Sequence, residues 1–180
     1  MTSRSTDSVD NLPIPQGSPI EVRLAREDEI GSVKAILDDE RAIFGFLPRP
    51  AIVDAQRQQS LLVAVQGQRI VGFARLHHRR DQVTTLYEIA VVADLRRRGI
   101  GHALTRGIIE EAICRGQKSV QLKCPAALAA NSFYSRLGFS PRGQEAGKRT
   151  QINLWGLTLA GAVLNELRST GLMIVNKMPE

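Results

Sequence analysis

The chain has 180 residues, of which 43% are hydrophobic, 23% charged and only 4% aromatic. That length fits one domain able to bury roughly 70% of its unfolded surface without a disulfide or metal staple, and the mixture excludes wholesale disorder. The net charge of +6 is uneven: residues 1–60 carry −3 and residues 61–180 carry +9. An anionic partner is implied: nucleic acid, an acidic membrane surface or a phosphate-bearing cofactor. The longest apolar stretch, 154–164, is about half a membrane span. The first residues lack the apolar core of a secretory signal. Cys114 and Cys124, taken with His77, His78 and His102, have no zinc spacing. These features predict a cytoplasmic protein with free, buried thiols, no metal and no membrane segment.

Residues 1–19 are rich in Ser, Pro, Asp and Thr and read as a tail, with one domain over 20–180. Alternation predicts a first strand over 20–25, and Ile30, Val33, Ile36 and Leu37 mark one face of a helix over 27–37. The Pro- and Gly-punctuated 44–50 is a loop, followed by a short helix over 51–58. Two apolar runs, 61–65 and 70–77, flank Gly67 as a hairpin, and 83–92 is the most β-like stretch. A basic glycine loop, 96–101, opens a helix that runs to 115 and stops at Gly116. A strand over 119–124, a helix over 128–137 ended by Gly138, strands over 139–142 and 149–156, and a helix over 159–169 complete the chain. The order β-α-α-β-β-β-α-β-α-β-β is mixed α/β around one sheet.

The strongest chemical signal is Ile89-Ala90-Val91 followed by Arg96-Arg97-Arg98-Gly99-Ile100-Gly101-His102. A buried strand runs into a glycine loop that opens a helix. Amide N–H groups and the positive end of the helix suit a pyrophosphate, and the arginines add full charge. Neither the third glycine of a dinucleotide fold nor a Gly-Lys-Ser/Thr triplet is present. A tight turn with solvated arginines is the plainer alternative for the loop alone.

A second motif follows, Asn131-Ser132-Phe133-Tyr134-Ser135-Arg136-Leu137-Gly138-Phe139. With both motifs in this order, residues 20–156 resemble the GNAT superfamily of N-acetyltransferases. The Arg96–Gly101 segment resembles its acetyl-CoA pyrophosphate loop, and Phe133-Tyr134 with Leu137-Gly138-Phe139 resembles its helix-to-strand signature. The resemblance implies a GNAT-like mixed sheet of about seven strands, with the fourth and fifth parallel and splayed, flanked by four to five helices.

It also implies a site. The backbone of Ile89, Ala90 and Val91 would bond the pantetheine arm. The Arg96, Arg97, Arg98, Gly99, Ile100, Gly101, His102 and Ala103 segment would bind the pyrophosphate. The Val91 N–H would stabilise the oxyanion and Tyr134 would be the general acid toward the leaving thiolate. The family often has Asn seven residues before the Tyr; Ala127 stands there, with Asn131 as a candidate substitute. A strand-five carboxylate of some relatives is replaced by Leu122.

Several roles stay open. Glu88, one residue before the Ile-Ala-Val segment, is either the general base or an ion-pair partner of Arg75. His77 and His78 point to opposite faces, so only one could serve as base. Cys124 is either a small buried thiol or the carrier of an acetyl-cysteine route. Phe44, Phe46 and Leu47 either wall the acceptor site or pack as a lid. The reading is an acetyl-CoA-dependent N-acetyltransferase acting on a small-molecule or peptide amine, with a second copy of the chain as a candidate partner. The alternatives are a non-catalytic acyl-CoA-binding regulator and a toxin-like enzyme acting on aminoacyl-tRNA. Nucleic acid ranks below a small amine, because no basic surface with interleaved aromatics is evident.

Overall fold

The computed structural model describes residues 18–148 and 150–159. Among these, a sheet of seven strands has the order β1-β2-β3-β4-β5-β7-β6. The strands are β1 Ile20–Leu24, β2 Leu61–Gln66, β3 Arg69–His78, β4 Val83–Val91, β5 Ser119–Pro125, β6 Ser140–Ala146 and β7 Gln151–Thr158. The helices are α1 Ile30–Asp39, α2 Arg41–Phe44, α3 Arg49–Arg57, α4 Ile100–Cys114 and α5 Ala130–Arg136. The expected element order holds, with α2 as a one-turn addition. The expected tail falls almost wholly, and the expected last helix beyond its first residue, outside the described residues.

β2 reads as an unbroken apolar run because both of its faces are covered. Leu62 and Ala64 join one core with Leu104, Ile108 and Ala112 of α4. Leu61, Val63 and Val65 join another with Ile30, Val33 and Leu37 of α1 and Ile52 of α3. Two glycines let α4 and the sheet approach closely. A Cβ on Gly107 would lie 2.5 Å from Val22, and one on Gly72 would lie 2.7 Å from the Ala90 carbonyl and 3.1 Å from Leu104.

α4 ends as its sequence predicts. Gly116 turns to φ +68°, its N–H donates to Ile113 and the Gln117 N–H donates to Ala112, the paired bonds of a Schellman stop. Of the two thiols expected to be buried, Cys124 is buried but Cys114 is exposed. It occupies the final position of α4, past the stripe that packs on the sheet.

The parallel contact between β4 and β5 is short. Val83 to Leu86 pair with Ser119 to Leu122, and the pairing stops there. β4 continues against β3 as far as Val91, and β5 continues against β7 as far as Pro125. The two strands therefore part from Tyr87 onward. The register of β3 against β4 slips at the same place: Leu76 faces Leu86 but Arg75 faces Glu88. Tyr87 is thus the extra residue of a bulge, the device that re-aims a strand beside a site.

Candidate active site

The gap between the parted strands is a cleft, and its β4 edge carries free backbone. The Val92 N–H donates to Val71 of β3 at 3.0 Å. Successive strand amides point to opposite edges, so the Val91 and Ile89 N–H groups face the cleft. Ala90, expected in the same set, faces β3 instead: its carbonyl is the atom that a Gly72 Cβ would strike.

Past β4 the chain makes a one-turn helix over Ala93–Leu95 and reaches the glycine loop. Arg97 has φ +65° and Gly99 has φ +84°, and this left-handed pair is what turns the chain into α4. The amides of Ile100, Gly101 and His102 precede the first intrahelical bond and carry the helix's positive end. The Ala103 N–H, expected among these donors, closes that first bond on Gly99 at 3.0 Å. Arg97 and Arg98 are exposed at the loop, and neither forms an ion pair among the described residues. Arg96 does: its Nη2 donates to the Glu40 carboxylate and its Nε donates to the Val91 carbonyl at 3.1 Å. Its guanidinium is thus engaged by protein rather than free for a phosphate.

Tyr134 is placed by local backbone chemistry. Gly138, at φ +82°, ends α5 with a second Schellman stop, in which Phe139 N–H donates to the Tyr134 carbonyl and Gly138 N–H to Ser135. That motif brings its flanking apolar residues together, and the Tyr134 and Phe139 rings lie 5.8 Å apart. Phe133 stacks edge-on to Tyr134 at 5.5 Å and to His102 at 5.6 Å, and a Cβ on Gly101 would lie 3.2 Å from Phe133. The aromatic signature therefore locks α5 against the start of α4. Tyr134 is only 7% exposed, and its hydroxyl has no hydrogen-bond partner among the described residues. Burial, with Cys124 beside it, holds the phenol well above its ordinary range. Burial likewise raises the Cys124 thiol, which leaves it a poor nucleophile.

Asn131 was a candidate cofactor contact. Its Nδ2 donates to the Pro125 and Leu128 carbonyls, both at 2.8 Å, and its Oδ1 accepts from Asn153 Nδ2 and Trp155 Nε1, both at 2.9 Å. An indole N–H only donates and a carbonyl only accepts, so the amide orientation is forced and its bonding capacity is filled. Asn131 ties the end of β5, the start of α5 and β7 together.

Glu88 resolves in favour of the ion pair. Arg75 grips it bidentately at 2.6 and 2.8 Å, with both side chains less than a fifth exposed. Arg75 also lies 4.7 Å over the Tyr87 ring, which stacks on His77. The Glu88 carboxylate is thus held in the ion pair that was one of its two expected roles. The two histidines diverge as expected. His77 is exposed beside Tyr87. His78 is bonded to Thr84 at 3.0 Å, and burial, reinforced by Arg115, lowers its pKa. In the connection between α1 and α3, Phe44 and Leu47 pack onto the α1–α3 core, whereas Phe46 is exposed between Lys34 and Arg41.

A sheet opened between two parallel strands, with the start of α4 following β4, is the architecture of this site. Residues 48–154 match the family model of the acetyltransferase (GNAT) domain, and the chain belongs to that family. It is therefore an acyltransferase with acetyl-CoA as co-substrate. Among solved structures, Ard1 from Thermoplasma volcanium aligns at TM-score 0.69 and 20% identity over 77% of this chain and 97% of that one. The ribosomal-protein-S18-alanine N-acetyltransferase from Escherichia coli aligns at 0.68 and 21% over 78% and 94%. YncA from Salmonella typhimurium, solved with acetyl-CoA, aligns at 0.66 and 17% over 78% and 94%. At these identities they show the shared fold. No curated protein matches the chain. No described helix is long and apolar enough to cross a membrane.

Proposed function

We propose that the protein transfers an acetyl group from acetyl-CoA directly to a primary amine, and that Tyr134 serves the departing sulfur. What supports this reading is the parting of β4 from β5 beyond Leu86 and Leu122, with the Ile89 and Val91 N–H groups on the β4 edge of the gap, the unpaired first amides of α4 after it, and Tyr134 packed by Phe133 and beside Cys124 near the end of β5. The amides of Ile100, Gly101 and His102, with Arg97 and Arg98, hold the pyrophosphate. The Val91 N–H donates to the oxygen on which negative charge develops. Acetyl-CoA supplies the activated thioester.

Tyr134 acts as a hydrogen-bond donor more than a full acid. A thiol of ordinary pKa, about 8.5, lies far below a phenol raised by burial, so complete proton transfer to sulfur is uphill. Donation from a dry phenol to a developing thiolate is favourable, because a charged acceptor strengthens the bond.

Glu88, held by Arg75, is assigned to shaping the bulge. The acceptor then has to arrive with a substantial neutral fraction. An α-amine, with an ordinary pKa of about 7.7–8.0, meets that condition far better than a lysine at about 10.4. The test is amine-dependent release of free CoA from acetyl-CoA across a panel of small amines, peptides with free N-termini, lysine side chains and charged tRNA. Release with α-amines supports the reading. Tight acetyl-CoA binding with no release across the panel overturns it in favour of a non-catalytic acyl-CoA-binding regulator. Release only with charged tRNA points to the toxin-like alternative.

A further inference from the structure

Of the arginines in the phosphate loop, Arg96 stands apart. It is the first residue of the loop, and its guanidinium points back toward the sheet, with Nε on the Val91 carbonyl at 3.1 Å and Nη2 on Glu40. Glu40 sits at the junction of α1 and α2. Its N–H donates to Ile36 at 3.2 Å, and its carbonyl accepts from Ile43 and Phe44 at 2.9 and 3.1 Å. Its side chain is only 15% exposed, whereas that of Arg96 is 46% exposed. One carboxylate therefore joins two helix ends on the acceptor side to the phosphate loop, 56 residues away in sequence. The carbonyl that Arg96 takes belongs to Val91, whose N–H faces the cleft. The aromatic that follows Glu40 in the same connection, Phe44, packs on the core that contains Ala90 and Val92.

We propose that Glu40 is a positioning residue: through Arg96 it braces the end of β4 and the phosphate loop against the α1–α2 junction, and Arg96 is a strut rather than a phosphate ligand. This rests on the reading that the cleft binds acetyl-CoA. The bracing has a sign that simple electrostatics does not. Removing a carboxylate beside a phosphate loop strengthens the binding of a polyanion by charge alone. It would strengthen it further if Arg96 were a ligand held back by Glu40. A strut predicts the opposite, because the Val91 edge and the loop amides lose their fixed relation and binding must first restore it.

The experiment measures calorimetric Kd values for acetyl-CoA and for S-acetylpantetheine, which lacks the phosphates, with hydrogen exchange read over 89–103. Glu40→Gln is expected to weaken acetyl-CoA by about three- to tenfold, to weaken S-acetylpantetheine by a similar factor and to speed exchange at the loop amides. Arg96→Gln should match it for S-acetylpantetheine and for exchange and weaken acetyl-CoA somewhat more, because a positive charge is also lost; the double variant should be no worse than Arg96→Gln alone. Arg97→Ala and Arg98→Ala provide the contrast: they should weaken acetyl-CoA alone and reduce its salt dependence. Tighter acetyl-CoA binding by Glu40→Gln overturns the proposal. So does an Arg96→Gln effect confined to the phosphate-bearing ligand, or additivity of the two changes. Failure of the unaltered protein to bind acetyl-CoA would overturn the underlying reading instead, and the strut with it.

Discussion

Replacing Tyr134 with Phe removes one oxygen from a ring that stays packed between Phe133 and Phe139. In the resting protein that hydroxyl has no partner among the described residues, so its removal breaks no bond within the protein. The fold should be as stable or more so, by up to about 1 kcal/mol, which in a chain of this size raises Tm by roughly 2–4 °C. In the proposed transfer the same hydroxyl meets a developing thiolate, and a hydrogen bond to a charged atom contributes about 1.5–3 kcal/mol. At 1.36 kcal/mol per factor of ten, kcat should fall roughly 10- to 150-fold. Acetyl-CoA affinity should change by less than about threefold, since the bond forms only as charge appears. The assay is free-CoA release under saturating acetyl-CoA, beside a thermal melt of the same preparation. Because the phenol stays protonated well above its ordinary range, the parent's kcat should show no loss from Tyr134 ionisation up to pH 10. An unchanged kcat would refute the catalytic assignment. A fall in Tm of several degrees would show instead that the hydroxyl is structural.

Three other outcomes follow from the same geometry. Glu88→Gln should lower stability by about 1 kcal/mol in a denaturant titration, as expected for a partly buried pair. Its kcat should stay within tenfold, whereas loss of a true base would cost 10²- to 10⁴-fold. Asn131→Ala should leave the Trp155 indole N–H and the Asn153 amide N–H without their acceptor, while the Pro125 and Leu128 carbonyls keep their backbone donors, at a cost of about 1–2 kcal/mol. The chain's one tryptophan should report the change as a shift in fluorescence maximum; an unshifted spectrum with full stability would remove Asn131 from its tethering role. His78 is held neutral by burial and by Arg115. Its folded pKa lies below the unfolded value near 6.5, so the unfolded chain binds the extra proton first as pH falls. The parent should therefore lose stability from about pH 6.5 downward through the lowered folded value. His78→Asn should flatten that part of the Tm–pH curve, and parallel curves for the two proteins would count against it.

What could be read from the linear chain was everything enforced over a few residues. Gly99, Gly116 and Gly138 mark helix boundaries because each adopts a left-handed conformation that other residues resist. The Leu-Gly-Phe signature locates Tyr134 because a Schellman stop brings Phe139 back onto the residue five positions earlier. The first α4 amides are legible as free donors because any helix start has unpaired N–H groups. These signals are local, and together they carried the family and the element order.

The tertiary structure decided which of the chemically suitable groups are free. Arg96, Arg97 and Arg98 are alike as a run of letters. One is claimed by Glu40 from the α1–α2 junction, and the other two form no ion pair among the described residues. Glu88 lies beside the Ile-Ala-Val edge as a base would, yet the β3 register brings Arg75 onto it. Asn131 reads as available in sequence, but β7 delivers Asn153 and Trp155 to its oxygen. Nothing in local composition signals the bulge at Tyr87 or the point where β4 leaves β5. The physical reason is common to all of these. A side chain's chemistry depends on whether its bonding capacity is already filled, and its partners arrive from strands and helices distant in sequence.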